Sequence, residues 1–355
     1  MDKNSLIFIA GANGMVGSAI KNRLIADGYS NLLTPSSKEL NLKNQAQTEK
    51  FFSKNKPEYV FFAAAKVGGI LANNTYKAEF IYDNITIAAN IIHYSYKSGV
   101  KKLLNLGSSC IYPREAKQPM KETALLSDYL EQTNEPYAIA KIAAIKMCTS
   151  YNYQYNTNFI SLMPTNLFGM NDTYNLEVSH LIPAIIRKII LGKALMDKNF
   201  DFIANDFKRH QIGFNLDGKI KLTEKISLVG ALNSLGVFAG SIEFWGTGAV
   251  LREFMFVDDL ADACLYFMQN ISAKETGDFV NIGTANEISI KDTINMIVKI
   301  VGYEGKIEFD SLRPDGTLRK LMDSSKARAL GWQPQYDFES SLKAVIEHYI
   351  ADVKA

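Results

Sequence analysis

Between residues 6 and about 165, short apolar runs alternate with longer amphipathic ones. The apolar runs lie at 6–10, 31–34, 59–63, 102–106 and 159–163, and the amphipathic stretches at 15–28, 45–55, 77–99 and 136–156. Runs of four or five mostly apolar residues read as short strands of a buried sheet, and the stretches between them carry helical periodicity. This βαβα order predicts a doubly wound α/β fold, a parallel sheet with helices on both sides. Beyond Met163 the alternation loosens. Strands are expected at 241–245, 279–282 and 306–309, between helices at 181–191, 258–270, 289–301 and 338–350. The pattern implies a large domain over 1–170, rejoined by about 246–262, and a smaller, mostly C-terminal α/β domain over 171–355.

Composition narrows this picture. With 355 residues, 47% hydrophobic and 21% charged, the chain can bury a large core. A net charge of +2, from 39 basic and 37 acidic side chains, supplies no general field for nucleic acid, and no basic patch stands out. Cys110, Cys148 and Cys264 form neither a disulfide framework nor a metal-binding pair, so a reducing cytoplasm without a bound metal is expected. The first residues lack the cationic start of an export signal. The uncharged stretch 226–242 is too short for a lipid span and is broken by glycines and by Asn233-Ser234, so no membrane association is expected.

Two motifs carry chemistry. GANGMVG, at 11–17, follows the first strand and opens a helix. Glycines there allow a tight turn and close approach of the backbone to a pyrophosphate, which the helix N-terminus attracts. The second strand runs into Thr34-Pro35-Ser36-Ser37-Lys38, with no acid waiting for a ribose 2′-hydroxyl; hydroxyls and a lysine suit a 2′-phosphate, so NADP(H) is the expected cofactor. Further on, Tyr137 and Lys141 stand one helical turn apart, just after Pro136. A nearby ammonium and a positive nicotinamide would favour the phenolate. Ser108, after the fourth strand, can add a hydroxyl to the same substrate oxygen.

Through these motifs together, the chain resembles the extended short-chain dehydrogenase/reductases and, among them, the GDP-L-fucose synthase family. The matching stretches run in order: GANGMVG, AAAKVGGILANN (63–74), GSSCIYP (107–113), TNEPYAIAK (133–141), MPTNLFG (163–169), SHLIP (179–183), WGTGAVLREFMFVDD (245–259) and RPDGTLRK (313–320). The resemblance implies a Rossmann-type fold and NADPH-dependent 3,5-epimerisation and 4-reduction of GDP-4-keto-6-deoxy-D-mannose to GDP-L-fucose. A related GDP-4-keto-6-deoxy sugar such as a heptose, reduced with or without epimerisation, is the alternative, and a non-catalytic NADP-sensing module is a third reading.

The resemblance assigns residues as well. Ser108, Tyr137 and Lys141 would form the reductase triad, and Cys110 and His180 the acid/base pair for epimerisation. Thiol and imidazole are the side chains that titrate nearest the range such proton transfer needs. The cofactor would touch Gly11, Asn13, Gly14, Met15, Val16, Gly17, Ser37, Lys38, Tyr137, Lys141, Pro164, Asn166, Leu167 and His180. The GDP-sugar would touch Ser109, Lys188, Trp245, Arg252 and Lys320. Asn13 and Ser37 stand where the family tends to place arginines, which weakens the NADP preference. The helices over 77–99 and 136–156 would pack across a two-fold axis in a homodimer. His93 and His210 have no comparable context, and Cys148 and Cys264 read as core. The segment 195–240 is longer than the family's usual connection. Within it, 212–222 reads as a β-hairpin with a three-residue loop at 217–219, pairing Leu216 with Ile220 and Phe214 with Leu222.

Overall fold

The structure is a computed structural model that describes residues 1–313 and 315–355; Pro314, in the RPDGTLRK stretch, lies outside the described residues. The chain divides into two units. Unit one comprises Met1–Leu167, Glu253–Asn286 and Leu321–Tyr336, and unit two comprises Phe168–Arg252, Glu287–Lys320 and Asp337–Ala355.

Unit one is built on a six-stranded parallel sheet. From one edge to the other its strands are Val280–Ile282, Phe159–Pro164, Lys102–Leu106, Tyr59–Phe62, Ile7–Ala10 and Leu32–Leu33. The order reverses on either side of Ile7–Ala10 and Tyr59–Phe62, as a doubly wound sheet requires, and ligands of such sheets bind at the carboxyl ends near that reversal. Successive side chains point to opposite faces. Phe8, Ala10, Val60, Phe62, Leu103 and Phe159 therefore share one face, in a core with Phe52, Ile91, Ile92, Ala144 and Cys148 from the helices Gln45–Asn55, Lys77–Lys97 and Glu135–Tyr155. Ile7, Ile9, Phe61, Leu104 and Ile160, the alternate positions, are as fully buried. That two-sided burial is why these strands read as mostly apolar runs. Cys148 and Cys264 are both core residues.

Unit two is less regular. Ser241–Trp245 pairs in parallel with Lys306–Asp310. A smaller sheet sets Leu251–Arg252 between Ile288–Ser289 and Arg319–Lys320. Its helices are Leu181–Met196, Phe200–Arg209, Lys225–Ser234, Ile290–Val301 and Phe338–Lys354, of which the second and third were not expected.

The hairpin expected at 212–222 does not form. Residues 213–215 take three successive left-handed backbone conformations, with φ of 85°, 53° and 55°, which no strand can contain. The Asp217 carboxylate accepts the N–H groups of Ile212 and Gly213 at 2.8 and 2.9 Å, so those donors are not free for a cross-strand partner. The Asp-Gly pair that suggests a hairpin turn is here a side-chain cap on a compact loop.

Candidate functional site

The turn after Ile7–Ala10 is dictated by sterics. Gly11 has φ +89°, and a Cβ on it would lie 2.8 Å from Ala64 N. A Cβ on Gly17 would collide with the Gly11 carbonyl, so the helix Met15–Ala26 can start this close to the strand only with glycine there. Gly14 differs: a Cβ on it meets nothing nearer than Gly11 O at 3.6 Å. The fold does not need Gly14, and the room it leaves lies at the helix N-terminus. That end has no side-chain cap and no acid in its first turn, so its N–H groups and dipole remain available to an anion. The cradle fits a dinucleotide pyrophosphate. Asn13 is exposed, and Met15 and Val16 are half-buried.

After the second strand, Ser37 and Lys38 are exposed. Glu39, which the sequence reading passed over, folds back so that Ser36 N–H and Oγ–H both donate to its carboxylate at 2.8 Å. A negative charge thus sits beside the lysine expected to meet a 2′-phosphate.

The strand Lys102–Leu106 leads through Gly107 to Ser108, whose extended backbone caps the short turn Ser109–Ile111; its Oγ accepts the Cys110 N–H at 3.4 Å. Ser109 and Cys110 are buried in that turn. Lys141 is buried, donates from Nζ to Leu106 O at 2.8 Å, and lies 5.7 Å from the centre of the Tyr137 ring and 5.8 Å from that of Phe62. The helix Glu135–Tyr155, begun with Pro136 in its first turn, brings Tyr137 and Lys141 to one face. Phe80 packs edge-on against Tyr137 with ring centres 6.2 Å apart.

The electrostatic balance differs from the expected one. Burial, then the neighbouring Cys110, raises the Tyr137 phenol well above the usual tyrosine range. Burial also draws Lys141 down to about 8, opposed by Cys110. In the chain alone, the low-dielectric surroundings outweigh the ammonium, and the phenol keeps its proton. Such a group can give a proton to a developing alkoxide. Cys110 acts on both the phenol and the ammonium, so thiol, phenol and ammonium form one electrostatic group.

Asn166 donates from Nδ2 to Glu253 O at 2.8 Å, and Thr165 N–H bonds Ile282 O at 3.0 Å, which anchors the chain beyond Pro164. Leu167 is half-buried. Glu253 escaped the sequence reading. Fully buried, its carboxylate accepts Ala285 N–H at 2.8 Å and Met322 N–H at 3.1 Å, tying two segments of unit one, Glu253–Asn286 and Leu321–Tyr336, together. Nothing in a lone glutamate next to Arg252 marks it for that role.

In unit two, Lys320 and Arg252 are direct partners on neighbouring parallel strands, and so face the same side. Two cations set opposite each other repel; the Asp315 carboxylate acts on Arg252 and offsets part of that cost, and a bound anion between the two would lower it further. Arg252 also donates to Leu251 O at 2.8 Å and Thr317 O at 2.7 Å. His180 stands at the N-cap position of the helix Leu181–Met196 without a side-chain cap bond; the residue reaches the surface, but crowding by protein strips its ring of solvation, which, followed by the Lys320 charge, holds it below the usual histidine range. Trp245 is exposed, and the Arg313 guanidinium, also missed, stacks 4.9 Å from its ring centre. Asp315 accepts Thr247 N–H at 3.0 Å and Thr247 Oγ1–H at 2.7 Å. Lys188 is drawn down to about 8 by burial; it donates to Glu243 O at 2.6 Å and lies 4.9 Å over the Phe244 ring. That bond holds helix to strand, a structural role the expected substrate contact did not include.

A profile of the NAD dependent epimerase/dehydratase family matches residues 7–202 and 213–283. The chain belongs to the NAD dependent epimerase/dehydratase family. Among its relatives, GDP-L-fucose synthase 1 of Arabidopsis thaliana is 45% identical over 352 residues, covering 99% of this chain and 95% of that protein. GDP-L-fucose synthase of Escherichia coli K12 is 40% identical, covering 97% and 96%. Among solved structures, a GDP-6-OMe-4-keto-L-xylo-heptose reductase from C. jejuni superposes with a TM-score of 0.92 at 39% identity, covering 98% of each chain. Membership of the epimerase/dehydratase family accounts for the glycine cradle and for the sheet whose carboxyl ends carry Gly11, Ser108 and Asn166. The part of the 195–240 segment that the family profile passes over is 203–212, most of the helix Phe200–Arg209 and the three residues after it.

Proposed function

We propose that this chain is an NADPH-dependent epimerase-reductase that converts GDP-4-keto-6-deoxy-D-mannose to GDP-L-fucose. The observation that carries the reading is the thiol of Cys110 in one electrostatic group with Tyr137 and Lys141. Reduction alone needs the phenol and the ammonium; a thiol in the same group serves a second proton transfer.

NADPH, when bound, supplies the hydride delivered to C4. Tyr137, protonated, gives its proton to the C4 oxygen, and Ser108 Oγ–H donates to the same oxygen. The Lys141 ammonium stabilises the charge that builds up there. Cys110 removes a proton from the carbon beside the ketone, and His180 returns one to the opposite face. Arg252 and Lys320, side by side, hold the GDP diphosphate, with Trp245 offering its face to a ring and Lys188 a further basic contact. Burial is the larger cause that holds His180 down, and a diphosphate at Lys320 would offset the smaller one, the Lys320 charge.

The same constellation supports a second reading, 4-reduction of a GDP-4-keto heptose, favoured by the likeness to the C. jejuni heptose reductase. Both readings assign the reduction to the same residues. The homodimer belongs to either. Its support is the resemblance, in which the helices Lys77–Lys97 and Glu135–Tyr155 pack across a two-fold axis; Tyr82 and Tyr153 on them are largely exposed. The three buried thiols suit a reducing cytoplasm, and among the described residues no helix is long and apolar enough to cross a membrane.

The test is product identity. Purified protein with NADPH and GDP-4-keto-6-deoxy-D-mannose, analysed by mass spectrometry and NMR, should yield GDP-L-fucose. A product reduced at C4 with C3 and C5 not inverted would overturn the epimerase part, and turnover confined to a GDP-4-keto heptose offered in parallel would select the second reading.

A further inference from the structure

His180 stands at the end of a compact run of turns. Val178 and Ser179 N–H groups donate to Asn175 O at 3.2 and 2.8 Å, and Glu177 N–H donates to Asn175 Oδ1 at 3.0 Å, so 175–179 closes on itself immediately before His180. Other parts of unit two hold that run at two points and the residue before it, Tyr174, at a third. Arg187 donates to Tyr174 O at 2.8 Å, Leu176 N–H donates to Ile212 O at 3.1 Å, and Phe214 N–H donates to a Glu177 carboxylate oxygen at 2.7 Å.

Two of these three ties come from the loop over 212–217, which is itself rigid because Asp217 caps the N–H groups of Ile212 and Gly213. Contact between loop and turns is close. A Cβ on Gly213, whose φ is +85°, would lie 2.5 Å from Glu177 Cβ and 2.6 Å from Asn175 Oδ1. The left-handed backbone and the missing side chain at 213 are both needed for the turns to lie where they do.

We infer that the loop over 212–217 is a template for the turns before His180, with Gly213 and Glu177 as positioning residues for the epimerisation step. The inference rests on the assignment of His180 as an acid of that step. It gives the segment after Phe200–Arg209 a function in setting the catalytic ring rather than in elaborating the surface. The 4-reduction machinery of Ser108, Tyr137 and Lys141 lies in unit one and does not include this loop.

Glu177→Leu removes the acceptor for Phe214 N–H, whereas Glu177→Gln keeps an oxygen that can accept it. Gly213→Ala pushes the turns outward. Two readouts apply: solvent deuterium exchange at C3 and C5 of the 4-keto sugar, and the NMR titration of the His180 ring in the free protein. Glu177→Leu and Gly213→Ala should each slow the exchange about tenfold or more, the scale of loss from misplacing a group by about an ångström, and leave reduction of an already epimerised ketone within about twofold. Both should move the His180 titration, and Glu177→Gln should restore exchange and titration together. Equal losses of exchange and reduction, or a His180 titration unmoved in both variants, would overturn the inference. Absence of exchange in the unaltered protein would instead overturn the His180 assignment, and the ring titration would still decide whether the loop positions it.

Discussion

The surroundings of Lys141 and of Arg187 each bury a cation and are completed in opposite ways. Arg187, fully buried on the helix Leu181–Met196, has all five N–H bonds directed at acceptors: Asp206 Oδ1 from Nε and from a terminal nitrogen, and the carbonyls of Tyr174, His210 and Gln211. The other Asp206 oxygen accepts the Tyr349 hydroxyl, and the rings of Tyr174, His210 and Tyr349 pack on one another. Lys141 has three N–H bonds and, among the described residues, one acceptor, Leu106 O. Its neighbours are a phenol and a thiol, groups that trade protons. A saturated cluster can change partners only at the full cost of an unpaired buried charge, so it holds segments in place; an unsaturated one has capacity left for a substrate and its protons. Burial of a charge therefore does not by itself mark a reactive site, and the groups left over around it do.

The largest effect that separates the two should come from Tyr137→Phe. It should lower turnover by about two to four orders of magnitude while leaving thermal stability and nucleotide binding nearly intact. Steady-state NADPH oxidation and a melting curve check both halves, and near-normal reduction would remove Tyr137 from the mechanism. Arg187→Leu should show the converse. Stranding Asp206 in the interior should cost about 3–5 kcal/mol of stability, read from the shift in the urea midpoint. Replacing Asp206 by leucine as well should recover only part of it, because the three carbonyls remain unserved. A loss below about 1 kcal/mol for the single variant would mean that the cluster does not hold the unit together.

A smaller effect is pH-dependent. Lys141 is drawn down to about 8, so its ammonium is present below that pH and lost above it. In the free enzyme, kcat/KM for reduction should fall about tenfold per unit above pH 8. Lys141→Arg, if it retains activity, should remove that limb, because a guanidinium keeps its charge. An unchanged alkaline limb in that variant would assign the titration to another group. The smallest effect concerns Lys38, which is exposed and has the Glu39 carboxylate as its chain neighbour. Lys38→Glu should shift preference from NADPH toward NADH by about threefold to tenfold, measured as a ratio of kcat/KM values. If the unaltered protein already prefers NADH, the reading of that loop is wrong.

The same distinction explains what could be read from the chain. Phe8, Val60, Leu103 and Phe159 belong to strands buried on both faces, and such strands write themselves as apolar runs. Gly11 and Gly17 are forced by backbone collisions within seven residues of each other, so their spacing is visible too. Tyr137 and Lys141 sit one turn apart on a helix that the pattern already shows. What could not be read depends on distant partners. Asp217 looks like half of an Asp-Gly turn until Ile212 and Gly213 are seen donating to it. Glu253 and Asp206 look like surface acids until their donors, far along the chain, are in place. Arg187 stands beside Lys188, and nothing local says that the first is sealed in a buried cluster.

The central claim is that one thiol turns a ketone reductase into an epimerase-reductase, and solvent exchange tests it most directly. In deuterium oxide with NADP⁺ and no NADPH, the unaltered protein should wash deuterium into C3 and C5 of GDP-4-keto-6-deoxymannose. Cys110→Ser should suppress that exchange strongly while preserving reduction of an already epimerised ketone, and His180→Gln should impair it with some residual wash-in. No exchange by the unaltered protein, alongside normal reduction of a supplied 4-keto sugar, would contradict the account and leave a C4-reductase.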